Sequence, residues 1–482
     1  MRAGLLLLAA GLRAPLSAQE PVDLQMIARM RAEALAHSRA VEYFNHLTNV
    51  IGPRLTGSPA HRDAAEYVRA QLAGVGAQNA HLEAFPFGRG WSLEKLTAEM
   101  IAPRYFPLEA YPEAWTPGTK GVVTGAPIYL GDKTAAEIEA MGEKLRGAII
   151  LPARPQTTFI VRDRVQPATS DTNVRSGAPP MINAPAATPI RTMQPILQKY
   201  GAAAVLRPSQ GQHGTMFVLG SQRTTNDATP SLIVEAEHYN MLVRAVQAGT
   251  PVQLRLELAV RYYTSDTNTY NVVAEIPGED PVLRNEVVLL GGHLDSWHSA
   301  TGATDNADAV ASLIEAMRIL KAVGAHPKRT IRLAIWSGEE EGLLGSVAYV
   351  NAHYAGDSNS AARDKLAVYL NDDPGTGPTY GFYMENNAPA KAIFDAWLAP
   401  LQDLGMKKNV IGGITNTDHL SFTKIGLPGF TAIKDYVDYD MRTHHTNVDF
   451  YERVNEPDLT QSAIVMAVFA YHAAMRGERI PR

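Results

Sequence analysis

The stretch GGHLDSWHSATGATDNAD, residues 291–308, follows an apolar run and places His293, Asp295 and Asp305 just beyond it. Three further apolar runs end in the same way. RTIRLAIWS (329–337) is followed by Glu339, Glu340 and Glu341, and KLAVYLN (365–371) by Asp372 and Asp373. GFTAI (429–433) is followed, after a polar loop, by His444, His445 and Asp449. One His-x-Asp beside a strand reads as an ordinary polar turn. Four strand ends that each deliver imidazole or carboxylate call for chemistry. Those groups without thiolate suit a borderline metal such as zinc, and the chain has no Cys. In extended backbone, residues i and i+2 lie on one side. Asp295 is therefore expected to accept from the His293 ring nitrogen that faces away from a metal, fixing its tautomer. His293 becomes a ligand, Asp295 its support and Asp305 a second ligand. A carboxylate has two oxygens, so one such residue can bridge two ions about 3.5–4 Å apart.

The elements that must hold these groups alternate. After residue 270, strands at 286–292, 329–337, 365–371 and 429–433 are separated by helices at 309–324, from about 343, at 388–404 and at 456–475. Such alternation predicts an α/β fold: a mixed, largely parallel sheet with helices on both faces. Ligands of open α/β sheets bind outside the carboxyl ends of the strands, where the His and carboxylate residues stand. Earlier in the chain, Leu24, Ile27, Met30 and Ala34 have helical spacing. AHRDAAEYVRAQLAGVG (60–76) reads as a helix and HLEAFPF (81–87) as a strand. Between about 118 and 260 the texture changes to short strands, KLRGAIILP and GAAAVLRP, with Pro-rich loops and the alternating PVQLRLELAVRYY (251–263). This predicts an inserted β-rich domain. The expected boundaries are 19–117 for the first part of the main domain, 118–262 for the insertion and 263–482 for the metal-binding part.

The bulk composition excludes several classes. The chain has 482 residues, 45% hydrophobic and 19% charged, with a formal net charge of -5. That is a globular composition without the basic stripe of a nucleic-acid binder. The first residues, MRAGLLLLAAGLRAPLSAQE, read as a secretory signal cleaved after Ala18. Their apolar run is shorter than the roughly 20 residues a membrane span requires. The expected location is therefore secreted or periplasmic, with no transmembrane segment after signal removal.

In order, GGHLDSW and GATDN, WSGEEEGLLGS, NDDPG and HHTNVD resemble the co-catalytic di-zinc exopeptidases, which include aminopeptidases and glutamate carboxypeptidases. PKRTIRLAIW (327–336) and GPRLTGSP (52–59) extend the likeness along the mature chain, and HLDSW, DPGTG (373–377), GLPG (426–429) and the paired His tilt it to the glutamate carboxypeptidase type. The resemblance implies two Zn2+ per chain. His293 and Asp373 would each bind one ion, with Asp305 bridging to the other, which Glu340 and His445 would complete. Glu339, first of the Glu pair, would be the general base. His445 rather than His444 matches the family pattern that ends at Asp449. Asp372 and Glu341 read as a solvated turn residue and a surface or structural residue, and Asp418-His419 as a packing or pocket-lining segment. Relatives commonly hold the peptide bond after the bridging Asp in the cis form. KLRGAIILP and KYGAAAVLRP resemble the protease-associated domain that many such peptidases carry.

The implied function is hydrolysis of dipeptides or short peptides through a metal-bound hydroxide, with Glu339 moving the proton. Cys is absent and no Gly-x-Ser-x-Gly elbow follows a strand. The first reading is a carboxypeptidase or dipeptidase. The alternative is an aminopeptidase with the same metal site, and a remote third is a non-catalytic binding module of the same fold. The partners implied are short peptides, not nucleic acid, and a homodimer is compatible with the family. A carboxypeptidase needs a cation for the substrate carboxylate, with Arg54, Lys424, Lys434 and Arg442 as candidates. An aminopeptidase needs an anion for the α-amine, with Asp372, Asp438 and Asp440 as candidates.

Overall fold

The computed structural model describes residues 20–167, 176–220 and 228–482. The expected signal segment lies outside the described residues. The main sheet has seven strands: β1 (Gln78–Pro86), β2 (Asn268–Ile276), β3 (Val287–His293), β4 (Thr330–Trp336), β5 (Leu366–Asn371), β6 (Gly381–Tyr383) and β7 (Gly429–Ile433). Their spatial order is β1-β2-β4-β3-β5-β7-β6. The four central strands, β4, β3, β5 and β7, pair in parallel. The outer pairings are antiparallel, so the sheet is parallel where the site stands and antiparallel at its edges.

Alternation along the strands builds a core on each face. Val288 and Leu290 of β3 join Leu333 and Ile335 of β4 under the helices Leu24–His37, Asp308–Ala322 and Glu456–Met475. Val287 and Leu289 point the other way, to Trp336, Tyr349 and Phe422, under the helices Leu344–His353 and His419–Thr423. The fold class expected from the sequence is the one observed. Ile27, Met30 and Ala34 are buried as their spacing predicts, but Leu24 is exposed because it opens its helix at the surface.

Residues 90–263 supply two further sheets. One has four antiparallel strands, Phe106–Pro107, Gly90–Ala102, Gln253–Tyr263 and Val123–Gly125 in spatial order. The other has five, Ala110–Pro112, Ser231–Val234, Ala204–Pro208, Ile149–Leu151 and Pro127–Tyr129. This region carries more helix than its β-rich texture suggests, with helices at Ala135–Met141, Ile190–Tyr200 and Ala236–Gln247. Pro195 sits inside the second of them, and an interior Pro normally argues against a helix.

Candidate metal centre

Two glycines bring β3 to its end. A Cβ on Gly291 would meet the Ala334 carbonyl at 2.7 Å, and one on Gly292 the Asp372 carbonyl at 2.6 Å. The neighbouring strands therefore close tightly on residues without side chains, and His293 emerges between them. β4 ends at Trp336, and the turn through Gly338 (φ +72) lifts Glu339 and Glu340 to the same edge. Asp373 stands two residues past the end of β5. Asp305 comes from the loop before the helix Asp308–Ala322, and the Asp305–Asn306 bond is cis, as expected.

These residues converge. His293 Nε2 lies 3.2 Å from Asp305 Oδ1 and 3.3 Å from Asp373 Oδ1. The other oxygen of Asp305 lies 3.5 Å from His445 Nε2, which is 2.9 Å from Glu340 Oε2. One carboxylate thus stands between two donor sets. His444 also comes within reach of Asp305, but its Nδ1 faces Asp440 at 3.4 Å. Together with Glu339, Arg164, Asn416 and Tyr439, these groups line a cavity of about 440 Å³. Glu341 does not line it.

The electrostatics suit a cation. Burial pushes the carboxyls of Glu339 and Glu340 well above the usual range, and neighbouring carboxylates add to the effect. Burial opposes charge on His293, but Asp373 and Asp305 hold its pKa well above that of free imidazole. His293 Nε2 and Glu340 Oε1 are shut off from solvent and close no hydrogen bond among the described residues. Buried ligand atoms left in this way, with two carboxylates crowding one imidazole nitrogen, fit metal ligation.

The supporting groups differ in part from expectation. The His293 ring Nδ1 meets the backbone carbonyl of Asp295 at 3.0 Å, whereas the Asp295 carboxylate is 3.8 Å away. That carboxylate accepts from the backbone N–H groups of Glu339 and Glu340 at 3.3 and 3.2 Å. Asp295 therefore fixes the Glu pair with its side chain and the imidazole with its main chain. Asp372 is no solvated turn residue: it is fully buried and faces Lys434 Nζ at 3.2 Å, with Asp308 on the same ammonium at 2.9 Å. Arg54, also fully buried, donates to the carbonyls of Leu294, Thr301 and Gly302, pinning both ends of the loop before Asp305. Neither Lys434 nor Arg54 is free to grip a substrate. Asp440 is held by Arg164, and Arg442 donates to Gln212 and Thr215. Among the described residues that line the cavity, Arg164 is the one Lys or Arg.

Sequence reasoning gave no supporting role to two contributors. Trp297 donates its indole N–H to Glu340 Oε2 at 2.8 Å. Asp449 accepts from the Thr304 backbone at 2.8 Å and so holds the loop that carries Asp305. Its place at the end of HHTNVD was the available signal. Asp418 and His419 are fully buried behind the cavity, His419 bridging Glu385 and Thr431.

Residues 271–470 match the model of peptidase family M28. Carboxypeptidase Q of Mus musculus is 29% identical over 448 residues, 92% of this chain and 87% of that protein. The Homo sapiens protein of the same name is 26% identical over 93% of this chain and 88% of its own length. A peptidase M28 precursor from Shewanella amazonensis has the same fold, with a TM-score of 0.68 and 22% identity over 95% of this chain and 98% of that one. So does a zinc aminopeptidase from Bacillus subtilis, at 0.59 and 16% over 91% and 95%. The matched stretch, residues 271–470, carries every candidate ligand, and through it the chain is similar to peptidase family M28.

Proposed function

We propose that this protein is a secreted zinc exopeptidase that hydrolyses dipeptides or short peptides, with two ions held by His293, Asp305, Asp373, Glu340 and His445. The observation that carries this reading is the Asp305 carboxylate, whose two oxygens face two different imidazoles, His293 and His445. Zinc held there would supply Lewis acidity, lowering the pKa of a water and polarising the scissile carbonyl. Glu339 lines the same cavity. It is not one of the five candidate ligands, so its carboxylate is left to take a proton from the attacking water and return it to the leaving amine. Asp295 keeps Glu339 and Glu340 in register through their backbone N–H groups. The buried Lys434–Asp308–Asp372 cluster braces the segment before Asp373. The two smaller sheets are read as a protease-associated domain, and the leading segment as a signal that directs export.

The kinship with carboxypeptidase Q along nine-tenths of the chain favours cleavage at a free carboxyl terminus. One observation favours the aminopeptidase reading: the charge of Arg164 in the cavity wall is already balanced by Asp440. Blocked dipeptides decide between them. On the first reading, N-acetyl dipeptides are cleaved and C-amidated ones resist. The reverse pattern makes the protein an aminopeptidase and leaves the metal assignment standing.

A further inference from the structure

The turn that carries His445 does not hold its own shape. His445 has φ +63 and Asp438 φ +60, a left-handed conformation that is strained for a non-glycine residue and persists where surroundings enforce it. Those surroundings come from residues of the smaller sheets and their loops. The Asp163 carboxylate accepts from the backbone N–H groups of Asp438 and Met441, each at 2.9 Å. Arg164 closes a bidentate pair on Asp440 at 2.9 and 2.7 Å, and its own backbone N–H reaches the same carboxylate at 2.7 Å. Val218 donates to the carbonyl of His445 at 3.0 Å.

A continuous stack leads from this clamp to the candidate ligand. The Arg164 guanidinium lies 5.1 Å from the Tyr439 ring centroid. Tyr439 stacks on His444 at 5.0 Å, and His444 lies against His445 at 3.8 Å. Asp440 also faces His444 Nδ1 at 3.4 Å. Arg164 is 4% exposed and Asp440 1%, so water does little to weaken the pair.

We propose that Arg164 is a positioning residue for one half of the metal centre. Through Asp440, Tyr439 and His444 it sets where the His445 imidazole stands, so the inserted segment is a working part of the site and not only a wall. The inference rests on the two-ion reading above. Arg164 is not assigned a contact with substrate.

The test is a chelator titration of the full-length zinc-loaded protein, with zinc per chain measured at each step. In Arg164→Ala, one ion is expected to be held about 10–100-fold more weakly, the scale for groups that orient a ligand. The other ion should keep its affinity. Asp440→Asn should behave alike, and the double variant should lose no more than either single one. Arg164→Lys, which keeps the charge but lacks the planar fork, should fall between. Cobalt loading gives a second readout, because the absorption of the ion on His445 should shift in Arg164→Ala. Arg207→Ala breaks an ion pair with Glu113 in the same region, outside the Arg164–Asp440–Tyr439–His444 chain, and should leave both affinities unchanged. Two ions held as tightly in Arg164→Ala as in the parent would overturn the inference. Parallel loss of both ions, or the same loss in Arg207→Ala, would also overturn it. A parent protein that binds one ion would instead refute the two-ion reading.

Discussion

The ring Nδ1 of His293 meets the backbone carbonyl of Asp295 at 3.0 Å, while the carboxylate of Asp295 turns away to the N–H groups of Glu339 and Glu340. One residue therefore orients an imidazole with its main chain and the acidic pair with its side chain. In Asp295→Asn the carbonyl still fixes the His293 tautomer, but one of two acceptor oxygens becomes an NH₂ that confronts a backbone N–H. Turnover is expected to fall about 10–100-fold, with zinc at the His293 position retained. Zinc analysis beside steady-state kinetics checks this. Loss of zinc with unchanged turnover of the loaded fraction would contradict the division of labour.

Lys434 is a buried structural cation. Its ammonium lies between Asp308 and Asp372, so Lys434→Met leaves two buried carboxyl groups without their shared counter-charge. Removing one member of a buried ion pair costs about 3–5 kcal/mol. Urea unfolding should show that loss, and the KM for substrates with free and amidated carboxyl termini should keep its ratio. A change in that ratio with full stability would make Lys434 a substrate-binding residue after all.

The pH dependence of folding should bear the mark of His61. Burial lowers its pKa from 6.5 to about 4, and its Nε2 pairs with Ser337 Oγ at 2.8 Å, below the Glu339 turn. A histidine with a depressed folded-state pKa favours the fold fully above the unfolded value of 6.5. That contribution is lost as the pH falls towards 4. At roughly 1.4 kcal/mol per unit, the loss reaches about 3 kcal/mol. Denaturant unfolding with chelator present throughout separates this from acid release of metal. His61→Gln should flatten the slope between pH 6.5 and 4.5, and an unchanged slope would assign the acid sensitivity elsewhere.

What was legible in the chain was local. Val287–Leu290 and the other apolar runs announced strands, and the polar groups after them could face only the carboxyl edge of a parallel sheet. What was hidden depends on contacts between distant segments. Arg164 and Asp440 are 276 positions apart, and nothing in the Pro-rich stretch around 154–189 marks it as the brace of a histidine turn. Asp372 looked solvated because its partner, Lys434, arrives from the end of another strand. Arg54 looked like a free cation because its acceptors are backbone carbonyls, which leave no trace in a sequence. The Asp295 carboxylate was assigned to the wrong neighbour for a related reason. The i, i+2 rule places it beside His293, but the N–H groups of the next strand's turn compete for it.

The central claim is that Glu339 moves the proton while Glu340, Asp305, Asp373, His293 and His445 hold the ions. The most direct measurement takes Glu339→Gln and determines zinc per chain together with turnover of an unblocked dipeptide. The account expects about two zinc ions per chain, as in the parent, with turnover reduced roughly 10²–10⁴-fold, the usual worth of a general base. Zinc lost in step with activity would show that Glu339 is itself a ligand, and the roles given to the two glutamates would have to be exchanged.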